Sequence, residues 1–229
     1  MKFTGKTIII TGASSGIGKR LKEYFGKENT VVSLSRSAVY PDIPCDLSDD
    51  ESINAAAEEI KTRFGKVDVL INNAGYGLYG AAELLGDEQI EKQFSTNLTG
   101  AILFTKRLLP MMSAGSKIVN VSSACALFPL PFRTMYCSSK AGLAMFSHGL
   151  KMELHPYGID VTAICPGDVK TTFTKNRVKN YSTNERYGER ISLADEKISS
   201  RENKRMPEDY AVKKIIKIIE KKKYKPMYI

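Results

Sequence analysis

The feature that most constrains the fold is a glycine-rich turn between an apolar run and a helix-like stretch near the start of the chain. The run Lys6–Ile10 contains three consecutive isoleucines, which is typical of a strand buried on both faces. The turn Thr11–Gly18 follows, and a helix-like stretch runs from Lys19 to Phe25. A buried strand that leads through glycines into a helix predicts the first unit of an open α/β sheet.

Strand-like and helix-like runs alternate along the rest of the chain, without an internal repeat. The pattern predicts strands near 7–11, 30–35, 67–72, 116–121 and 159–165, with short pieces near 43–46 and 226–229. Such alternation is typical of a parallel sheet with helices on both faces. We therefore predict an α/β fold, a doubly wound parallel β-sheet in a single domain over residues 1–229. Between Arg36 and Asp46 the chain is too short and too rich in proline for a full helix, so that flank should be thinly covered.

The turn has the composition of a phosphate-binding loop of the Rossmann type. Gly12 would allow the tight turn, Gly16 a close approach of the backbone to a pyrophosphate, and Gly18 close packing of helix on strand. The spacing is G-x-x-x-G-x-G and not G-x-G-x-x-G. A glycine-rich stretch can also be only a turn, but the flanking strand and helix favour a dinucleotide site.

A second pattern, Tyr136 followed by Lys140, lies in a predicted helix. The spacing places phenol and ammonium on one helix face. A nearby cation favours the phenolate and would lower the pKa of Tyr136 toward working pH. Ser123 precedes the tyrosine by thirteen residues and can hold a carbonyl oxygen. Together these groups would interconvert an alcohol and a ketone by proton transfer.

These motifs, with Asn72–Gly75, Asn97 and Pro166–Gly167, occur in the order and spacing of the short-chain dehydrogenase/reductase family. The chain resembles this family from about residue 6 to about residue 172. The resemblance implies the catalytic set Asn97, Ser123, Tyr136 and Lys140.

In the resemblance each member of this set has a role. Tyr136 would be the general acid in reduction, and Ser123 would orient the carbonyl oxygen; the spacing to tyrosine selects Ser123 over Ser122. Lys140 would hold the nicotinamide ribose and lower the pKa of Tyr136. Asn97 would hold a water that links Lys140 to solvent, with a hydrogen bond to the backbone as the alternative.

The resemblance also implies the cofactor contacts. Asn73–Gly75 would line the adenine ribose, and the backbone after Pro166, with Thr171, would hold the carboxamide. Asp46 would bond the adenine amino group, or it would cap the helix that begins near residue 49. The predicted cofactor contacts are Gly12, Ser14, Ser15, Gly16, Ile17, Gly18, Arg36, Asp46, Leu47, Asn73, Ala74, Gly75, Tyr136, Lys140, Pro166, Gly167, Val169 and Thr171.

The choice of cofactor depends on Arg36. It ends the second predicted strand, where enzymes that prefer NAD place an acidic residue. A guanidinium can bind a ribose phosphate through two hydrogen bonds, so the sequence predicts NADP(H), with NAD(H) less favoured. A solvated surface arginine is the alternative reading. Some NADP-dependent members carry a basic residue just before the second glycine, but this chain has Ser15.

Residues 172–206 carry many charges and little periodicity, and their position matches the substrate lid of the family. A solvent-exposed insertion is the alternative. The predicted substrate contacts are Ser123, Tyr136, Cys125, Tyr76 and Phe128.

We predict a ketone reductase or alcohol dehydrogenase; the alternatives are a 3-oxoacyl-[acyl-carrier-protein] reductase and a non-catalytic cofactor-sensing or nucleic-acid-binding protein on the same fold.

The net charge of +9 raises the question of partners. Lysines and isoleucines interleave over Lys213–Lys225, which predicts an amphipathic helix with its apolar face on the core, so nucleic acid is not the expected partner. The sequence shows no membrane-length apolar run and no signal peptide, and its four cysteines lack metal spacing. We therefore expect a cytoplasmic protein without a metal.

Two long helices are predicted at Glu88–Ser113 and Met135–His155. Family members pair through the corresponding helices, so a homodimer or homotetramer is expected. Small residues of the second helix would let a partner helix approach: Ala141, Gly142, Ala144 and Gly149.

Overall fold

The computed structural model describes residues 3–200 and 204–229. Within these ranges the strands are β1 (Thr7–Thr11), β2 (Thr30–Ser35), β3 (Ile43–Pro44), β4 (Val69–Asn72), β5 (Leu78–Tyr79), β6 (Lys117–Val121), β7 (Asp160–Ile164), β8 (Val169–Lys170), β9 (Val178–Lys179), β10 (Met206–Pro207) and β11 (Met227–Tyr228). The α-helices are α1 (Gly16–Phe25), α2 (Asp50–Phe64), α3 (Asp87–Phe94), α4 (Gly100–Leu108), α5 (Thr134–Leu154), α6 (Arg190–Ser199) and α7 (Glu208–Ile219).

Among the described strands, seven form one parallel sheet in the order β11-β7-β6-β4-β1-β2-β3. In β1, Ile9 lies opposite Val32 of β2 on one side and Leu70 of β4 on the other. The chain winds outward from β1 in one direction and from β4 in the other. This is the doubly wound arrangement of a Rossmann-like α/β fold, and the predicted fold class is confirmed. The switch point between β1 and β4 is where such sheets bind ligands.

The isoleucines of β1 are buried on both faces, as the sequence predicts. Ile9 belongs to a core cluster with helices α2, α4 and α5, whereas Ile8 and Ile10 pack with α1 and α7. Successive side chains of a strand point to opposite faces, so the two clusters lie on opposite sides of the sheet. Helices therefore cover both faces of β1, whose carboxyl end enters the glycine-rich turn.

Helix α7 confirms the amphipathic pattern. Ile215, Ile216 and Ile219 are buried in the core, while Lys213, Lys214 and Lys217 are exposed. The helix ends at Ile219, earlier than the lysine-rich pattern suggests.

The helix predicted over residues 88–113 has an internal irregularity. Helix α3 is joined to α4 by a π-helical turn at Ser95–Thr99, and α4 is followed by a 3₁₀ turn at Leu109–Met111. A π turn inserts an extra residue and shifts the side chains that follow it, which periodicity alone does not reveal. The prediction that no full helix forms between Arg36 and Asp46 is confirmed, since residues 36–42 contain only turns and irregular backbone.

The segment 172–206 is less irregular than its sequence suggests, although its residues 201–203 lie outside the described ranges. It contains β9, which pairs with β5, and helix α6; its last residue begins β10, which pairs with β8. Tyr79 Oη donates a hydrogen bond to Ile191 O at 2.6 Å, which ties α6 to β5. The segment is therefore anchored at several points to the residues around the sheet.

Helix α5 uses two of its predicted small residues within the chain. A Cβ on Gly142 would lie 2.8 Å from Leu98 Cδ2, and Ala144 packs against Ala163. At Gly149 the corresponding space is open. Gly142 and Ala144 therefore serve internal packing, which corrects the expectation that they face a partner helix. Of the helices in the described residues, none combines the length and apolarity that a membrane span requires.

Candidate active site

A cleft with a volume of about 570 Å³ lies at the carboxyl ends of the central strands. This volume falls in the range of ordinary ligand sites. The predicted site residues that line it are Gly12, Ser14, Ser15, Gly16, Ile17, Arg36, Asp46, Leu47, Asn73, Ala74, Gly75, Tyr76, Ser123, Tyr136, Lys140, Pro166, Gly167, Val169 and Thr171. Gly18, Asn97, Cys125 and Phe128 are not among its lining residues.

The glycine-rich turn is fixed to the end of β4. Gly12 has a φ of +69°, and a Cβ there would lie 2.6 Å from Ala74 Cα. Asn73 Nδ2 donates to Thr11 O at 3.1 Å and to Gly12 O at 2.9 Å. The Thr11 hydroxyl accepts from the backbone N–H groups of Asn73 and Ala74. These contacts hold the turn in one shape and leave room only for glycine at position 12.

The start of α1 fits the pyrophosphate of a dinucleotide. Ser15, Gly16 and Ile17 line the cleft, and the Ser15 side chain makes no capping hydrogen bond. The first turn of α1 contains no acidic residue. Its backbone N–H groups and the positive end of the helix dipole can therefore receive an anion. Gly18 lies beneath, where a Cβ would meet Asn73 Nδ2 at 2.4 Å, so its role is close packing.

The predicted adenosine end of the cleft contains two cations and a carboxylate. Arg36 and Lys92 are exposed and line the cleft, as does Asp46. Asp46 Oδ1 accepts from Ser48 N at 2.9 Å and from Ser48 Oγ at 2.6 Å. Burial would raise the pKa of Asp46, but these bonds, with Arg36 and Lys92, hold it below its usual value.

The alternative role of Asp46 as a helix cap is wrong. Helix α2 is capped by Asp49, whose Oδ1 accepts from Glu51 N at 3.2 Å. The Asp46 side chain instead stabilises a local turn through its hydrogen bonds with Ser48. The sequence analysis missed Lys92, because its position in the cleft depends on how α3 packs and no local motif marks it.

Ser123, Tyr136 and Lys140 meet in the wall of the cleft. Ser123 precedes the 3₁₀ turn Ala124–Ala126, and its Oγ accepts from Cys125 N at 3.2 Å. Tyr136 lies in the first turn of α5 and is buried. The hydroxyl of the neighbouring Ser122 has a different partner, since its Oγ donates a hydrogen bond to the backbone carbonyl of Lys140 at 2.7 Å. The two serines thus face different partners, and the hydroxyl that neighbours Tyr136 belongs to Ser123.

Burial controls the electrostatics of this group. Burial raises the pKa of Tyr136 to about 12, although the Ser123 hydroxyl and the Arg133 guanidinium oppose the rise. Burial also lowers the pKa of Lys140 to about 8. The Lys140 ammonium donates to Val121 O at 2.8 Å. The pKa of Tyr136 is therefore raised and not lowered as predicted, because desolvation of the phenolate outweighs the Ser123 hydrogen bond and the charge of Arg133, and Lys140 is not among the groups that lower it.

Asn97 lies in the π-helical turn and reaches the loop after β4. Its Oδ1 accepts from Tyr76 N at 3.0 Å, and its Nδ2 donates to Tyr76 O at 2.9 Å. A Cβ on Gly75 would lie 3.1 Å from Asn97 Oδ1 and 3.3 Å from Lys140 Nζ. The Asn97 side chain is hydrogen-bonded to backbone atoms, which agrees with the alternative role given in the sequence analysis. These atoms belong to the distant residue Tyr76 and not to the helix that carries Asn97. Asn97 thus positions the loop that separates it from Lys140.

Two predicted substrate contacts lie outside the cleft wall. Phe128 is 66% exposed, and Cys125 lies in the 3₁₀ turn behind Ser123. The structure instead brings Phe173 to the site, with its ring centroid 5.6 Å from that of Tyr136. Phe173 belongs to the segment predicted as a lid, whose path over the site the sequence does not specify.

The fold and the cleft define a class: a Rossmann-type protein with a dinucleotide cradle beside a serine–tyrosine–lysine group. Residues 6–182 match the family model of the short chain dehydrogenases. The chain therefore belongs to the short-chain dehydrogenase family of oxidoreductases.

Named relatives and solved structures agree with this membership. A 3-ketodihydrosphingosine reductase of Bacteroides thetaiotaomicron is 36% identical over 178 residues, which cover 74% of this chain and 66% of the relative. The chain thus spans about two thirds of the length of that curated relative. A short-chain dehydrogenase structure from Streptomyces avermitilis has a TM-score of 0.85 at 27% identity and covers 100% of this chain and 88% of that one. A 3-ketoacyl-(acyl-carrier-protein) reductase from Brucella melitensis, complexed with NADH, has a TM-score of 0.71 at 29% identity over 77% and 81% of the chains.

Proposed function

We propose that this chain is an NADP(H)-dependent oxidoreductase that interconverts a ketone or aldehyde and an alcohol, with Tyr136 as general acid and base. One observation carries the proposal: Ser123, Tyr136 and Lys140 meet in a cleft that runs on to the glycine-rich turn. A bound nicotinamide supplies the hydride. The chain supplies the proton, the orientation and the shielding from water.

The proton comes from Tyr136. With its pKa raised to about 12, the phenol stays protonated at neutral pH and can give its proton to a carbonyl oxygen. Ser123 Oγ already accepts a hydrogen bond from Cys125 N, so the serine proton is available for the same carbonyl oxygen.

Lys140 and Asn97 support this pair. The ammonium of Lys140 has three donors, and one is bonded to Val121 O, which leaves two for the ribose hydroxyls. Asn97 fixes Tyr76 and Gly75, which form the wall of the cleft next to Lys140. We assign Asn97 as a positioning residue.

The preference for NADP(H) is supported by charge at the adenosine end. Strand β2 ends without a carboxylate, and Arg36 and Lys92 both line the cleft there. Two cations attract a ribose phosphate, and the planar guanidinium can bind it through two bonds. Asp46 carries the opposing charge, but Arg36 and Lys92 lie close enough to offset it.

Carbonyl reduction is supported by the names of the relatives, both of which are ketoreductases. A 3-oxoacyl-[acyl-carrier-protein] reductase is the second candidate, favoured by the likeness to the Brucella melitensis enzyme and by the net charge of +9, which suits an acidic carrier. A non-catalytic protein on this fold has less support, because all four residues of the predicted catalytic set are present. Residues 172–206 serve as the lid, with Phe173 against Tyr136.

We further propose a homodimer or homotetramer that forms through α5. Met145 and Met152 are 70% and 73% exposed and lie seven residues apart, on one helix face. Large exposed apolar side chains in one row favour a protein contact. A second copy of the same helix would bury both methionines.

The test combines cofactor titration with a ketone panel. NADPH and NADH are titrated by the fluorescence of the reduced nicotinamide, and NADPH oxidation is then followed with each ketone. We expect tighter binding of NADPH, turnover by the natural chain, and unchanged NADPH binding without turnover in Tyr136→Phe. Binding of neither cofactor would favour the non-catalytic alternative, and full turnover by Tyr136→Phe would remove the assigned role of the phenol.

A further inference from the structure

Two guanidinium groups beside Tyr136 have nitrogen atoms that are buried without a partner. Arg177 is 7% exposed, and its Nε and Nη1 make no hydrogen bond within the described residues. Arg133 Nε is likewise buried and unbonded there. The Arg133 guanidinium carbon lies 5.2 Å from the centroid of the Tyr136 ring. Both arginines therefore place unsatisfied donors near the proposed acid.

Such an arrangement is costly unless an anion joins it. Buried donors without acceptors lose their hydration, and two like charges repel in a poorly solvated environment. Burial and the charge of Arg133 both lower the pKa of Arg177. Arg205 shows the contrast: it is equally buried, but it donates to Asp168 Oδ2 at 3.1 Å and to Ile198 O at 3.2 Å.

The position of Arg177 connects it to the cleft. Its neighbours in sequence, Asn176 and Val178, both line the cleft. A Cβ on Gly77 would lie 3.3 Å from Arg177 Nε and 3.4 Å from Phe173 Cε1. Arg177 and Arg133 themselves do not line the cleft, and Phe173 lies close to both Arg177 and Tyr136. The guanidinium of Arg177 would therefore reach the carbonyl position only if the lid moved at Phe173.

The thiol of Cys125 reports the same positive field. Its contact with Cys137 is the main cause that lowers its pKa to about 6, and the charges of Arg133 and Arg177 lower it further. The Cys125 thiol, just behind Ser123, is therefore within electrostatic range of both guanidiniums.

We propose that Arg133 and Arg177 form a subsite for an oxyanion, a carboxylate or phosphate, that the substrate carries close to its reacting carbonyl. This inference rests on the proposed reductase function and narrows its substrate class to small anionic carbonyl compounds. Because Arg133 lies against the Tyr136 ring, the anion must be only a few bonds from the carbonyl. The phosphate of a carrier-protein arm lies too many bonds away to occupy this subsite.

The chain itself offers one competing anion. Asp195 of α6 has a buried Oδ1 without a partner in the described part of the chain, while its Oδ2 accepts from Lys179 at 2.7 Å and Tyr181 at 2.6 Å. A lid movement that paired Arg177 with Asp195 would make the arginine a structural residue. The experiment must therefore separate substrate recognition from lid closure.

The test compares charged and neutral ketones of matched size. The substrates are pyruvate, acetoacetate and levulinate with their amides, and dihydroxyacetone phosphate with dihydroxyacetone. The variants are Arg177→Gln and Arg133→Gln, and the control is Arg190→Gln, which removes an exposed arginine from the first turn of α6. We expect Arg177→Gln to lower kcat/KM for the preferred anionic ketone at least about tenfold, mainly through KM, because a charged hydrogen bond is lost. The neutral partner should change by less than about twofold. Comparison of the keto acids with dihydroxyacetone phosphate shows whether the subsite prefers a carboxylate or a phosphate.

A second measurement does not need turnover. With NADPH bound at saturation, so that the anion positions at the start of α1 and at Arg36 are occupied, acetate or inorganic phosphate should raise the midpoint of thermal unfolding of the natural chain and of Arg190→Gln, but not of Arg177→Gln. An equal loss on charged and neutral ketones, with no stabilisation by either anion, would overturn the subsite and favour the Arg177–Asp195 pair. Turnover of neutral ketones alone, unaffected by Arg177→Gln, would also overturn it and leave the reductase function intact. Absence of all turnover would count against the reductase, and the anion effect would still decide the subsite.

Discussion

The Asn97 side chain brackets the backbone of Tyr76: its Oδ1 accepts from Tyr76 N at 3.0 Å and its Nδ2 donates to Tyr76 O at 2.9 Å. A single amide in a π-helical turn thus bonds both backbone polar groups of Tyr76, and Gln93 Nε2 of α3 adds a second donor to Tyr76 O at 3.1 Å. The position of the neighbouring Gly75 depends on these two hydrogen bonds, because Gly75 fits between Asn97 Oδ1 and Lys140 Nζ. The π turn therefore acts on the site through a loop and not through direct contact with the phenol.

The substitution Asn97→Ala should destabilise the chain and loosen the site together. Tyr76 N loses its acceptor while Tyr76 O keeps the hydrogen bond from Gln93 Nε2 at 3.1 Å, and an unsatisfied buried group costs about 1–3 kcal/mol. We expect the free energy of unfolding to fall by about 2 kcal/mol or more, measured by urea denaturation, with weaker NADPH binding. Thr99→Ala, an exposed change in the same turn, should stay within about 0.5 kcal/mol of the natural chain. Equal stability of both variants would contradict the bracketing role of Asn97.

The adjacent serines should differ in catalysis and not in stability. Ser122→Ala removes the hydrogen bond to Lys140 O and should cost about 1 kcal/mol of stability, with little change in kcat. Ser123→Ala removes the acceptor of Cys125 N and should cost a similar amount of stability, but it should also lower kcat by about a hundredfold or more, because the carbonyl oxygen loses a donor. Urea denaturation and steady-state rates on the same preparations give both numbers. The reversed pattern would assign the catalytic hydroxyl to Ser122.

The sheet and the cofactor cradle could be predicted because their signals are local. Three isoleucines in β1 indicate that this strand is buried on both faces. The glycines at positions 12, 16 and 18 mark a tight turn, in which a side chain would be strained or would clash with neighbouring atoms. The strand positions follow from the same reasoning, so the order of the elements already indicates a doubly wound sheet.

The rest depends on contacts between distant segments. Lys92 reaches the cleft through the packing of α3, Arg177 comes to lie behind Phe173 through the packing of the lid, and no motif surrounds either residue. The pKa of Tyr136 is a further case: helix spacing brings Lys140 near, but burial, which the sequence does not measure, decides the direction. Phe128 shows the same limit, since this aromatic residue lies only five positions after Ser123 in sequence but is exposed on the surface.

Charge substitutions at the adenosine end should change the cofactor preference. Arg36→Ala removes the exposed guanidinium at the end of β2 and should weaken NADPH binding by about ten- to a hundredfold, with little effect on NADH. Lys92→Gln should weaken NADPH binding less, since an ammonium makes a point contact. Fluorescence titration with both cofactors measures the ratio.

The outcome distinguishes a phosphate site from a general effect of charge. Lys27→Gln is a suitable control, because this exposed lysine just after α1 does not line the cleft. Equal weakening of NADPH and NADH in Arg36→Ala would contradict a bond to the ribose phosphate. If Lys27→Gln weakened NADPH binding as much as Arg36→Ala does, the preference for NADPH would come from the net positive charge of the chain and not from a bond to the ribose phosphate.

Lys140 should give stability a pH dependence of definite sign. Burial lowers its pKa from 10.5 to about 8 in the folded chain. Below about pH 8 the lysine is charged in both states, and the fold carries the full cost of a buried ammonium. Between about pH 8 and 10.5 the folded chain has released this proton while the unfolded chain retains it, so this group makes the free energy of unfolding rise with pH. The shift corresponds to about 3 kcal/mol.

A variant comparison isolates this contribution from the other titrations of the chain. Lys140→Met removes the titrating group, so the stability of the natural chain relative to this variant should increase by up to about 3 kcal/mol from about pH 7 to about pH 10.5, measured by urea denaturation. Leu143→Ala, a buried change in the same helix without an ionisable group, should differ from the natural chain by a constant amount over that range. A constant difference for Lys140→Met as well would show that Lys140 keeps its proton in the fold, and the ammonium would then need a second acceptor besides Val121 O.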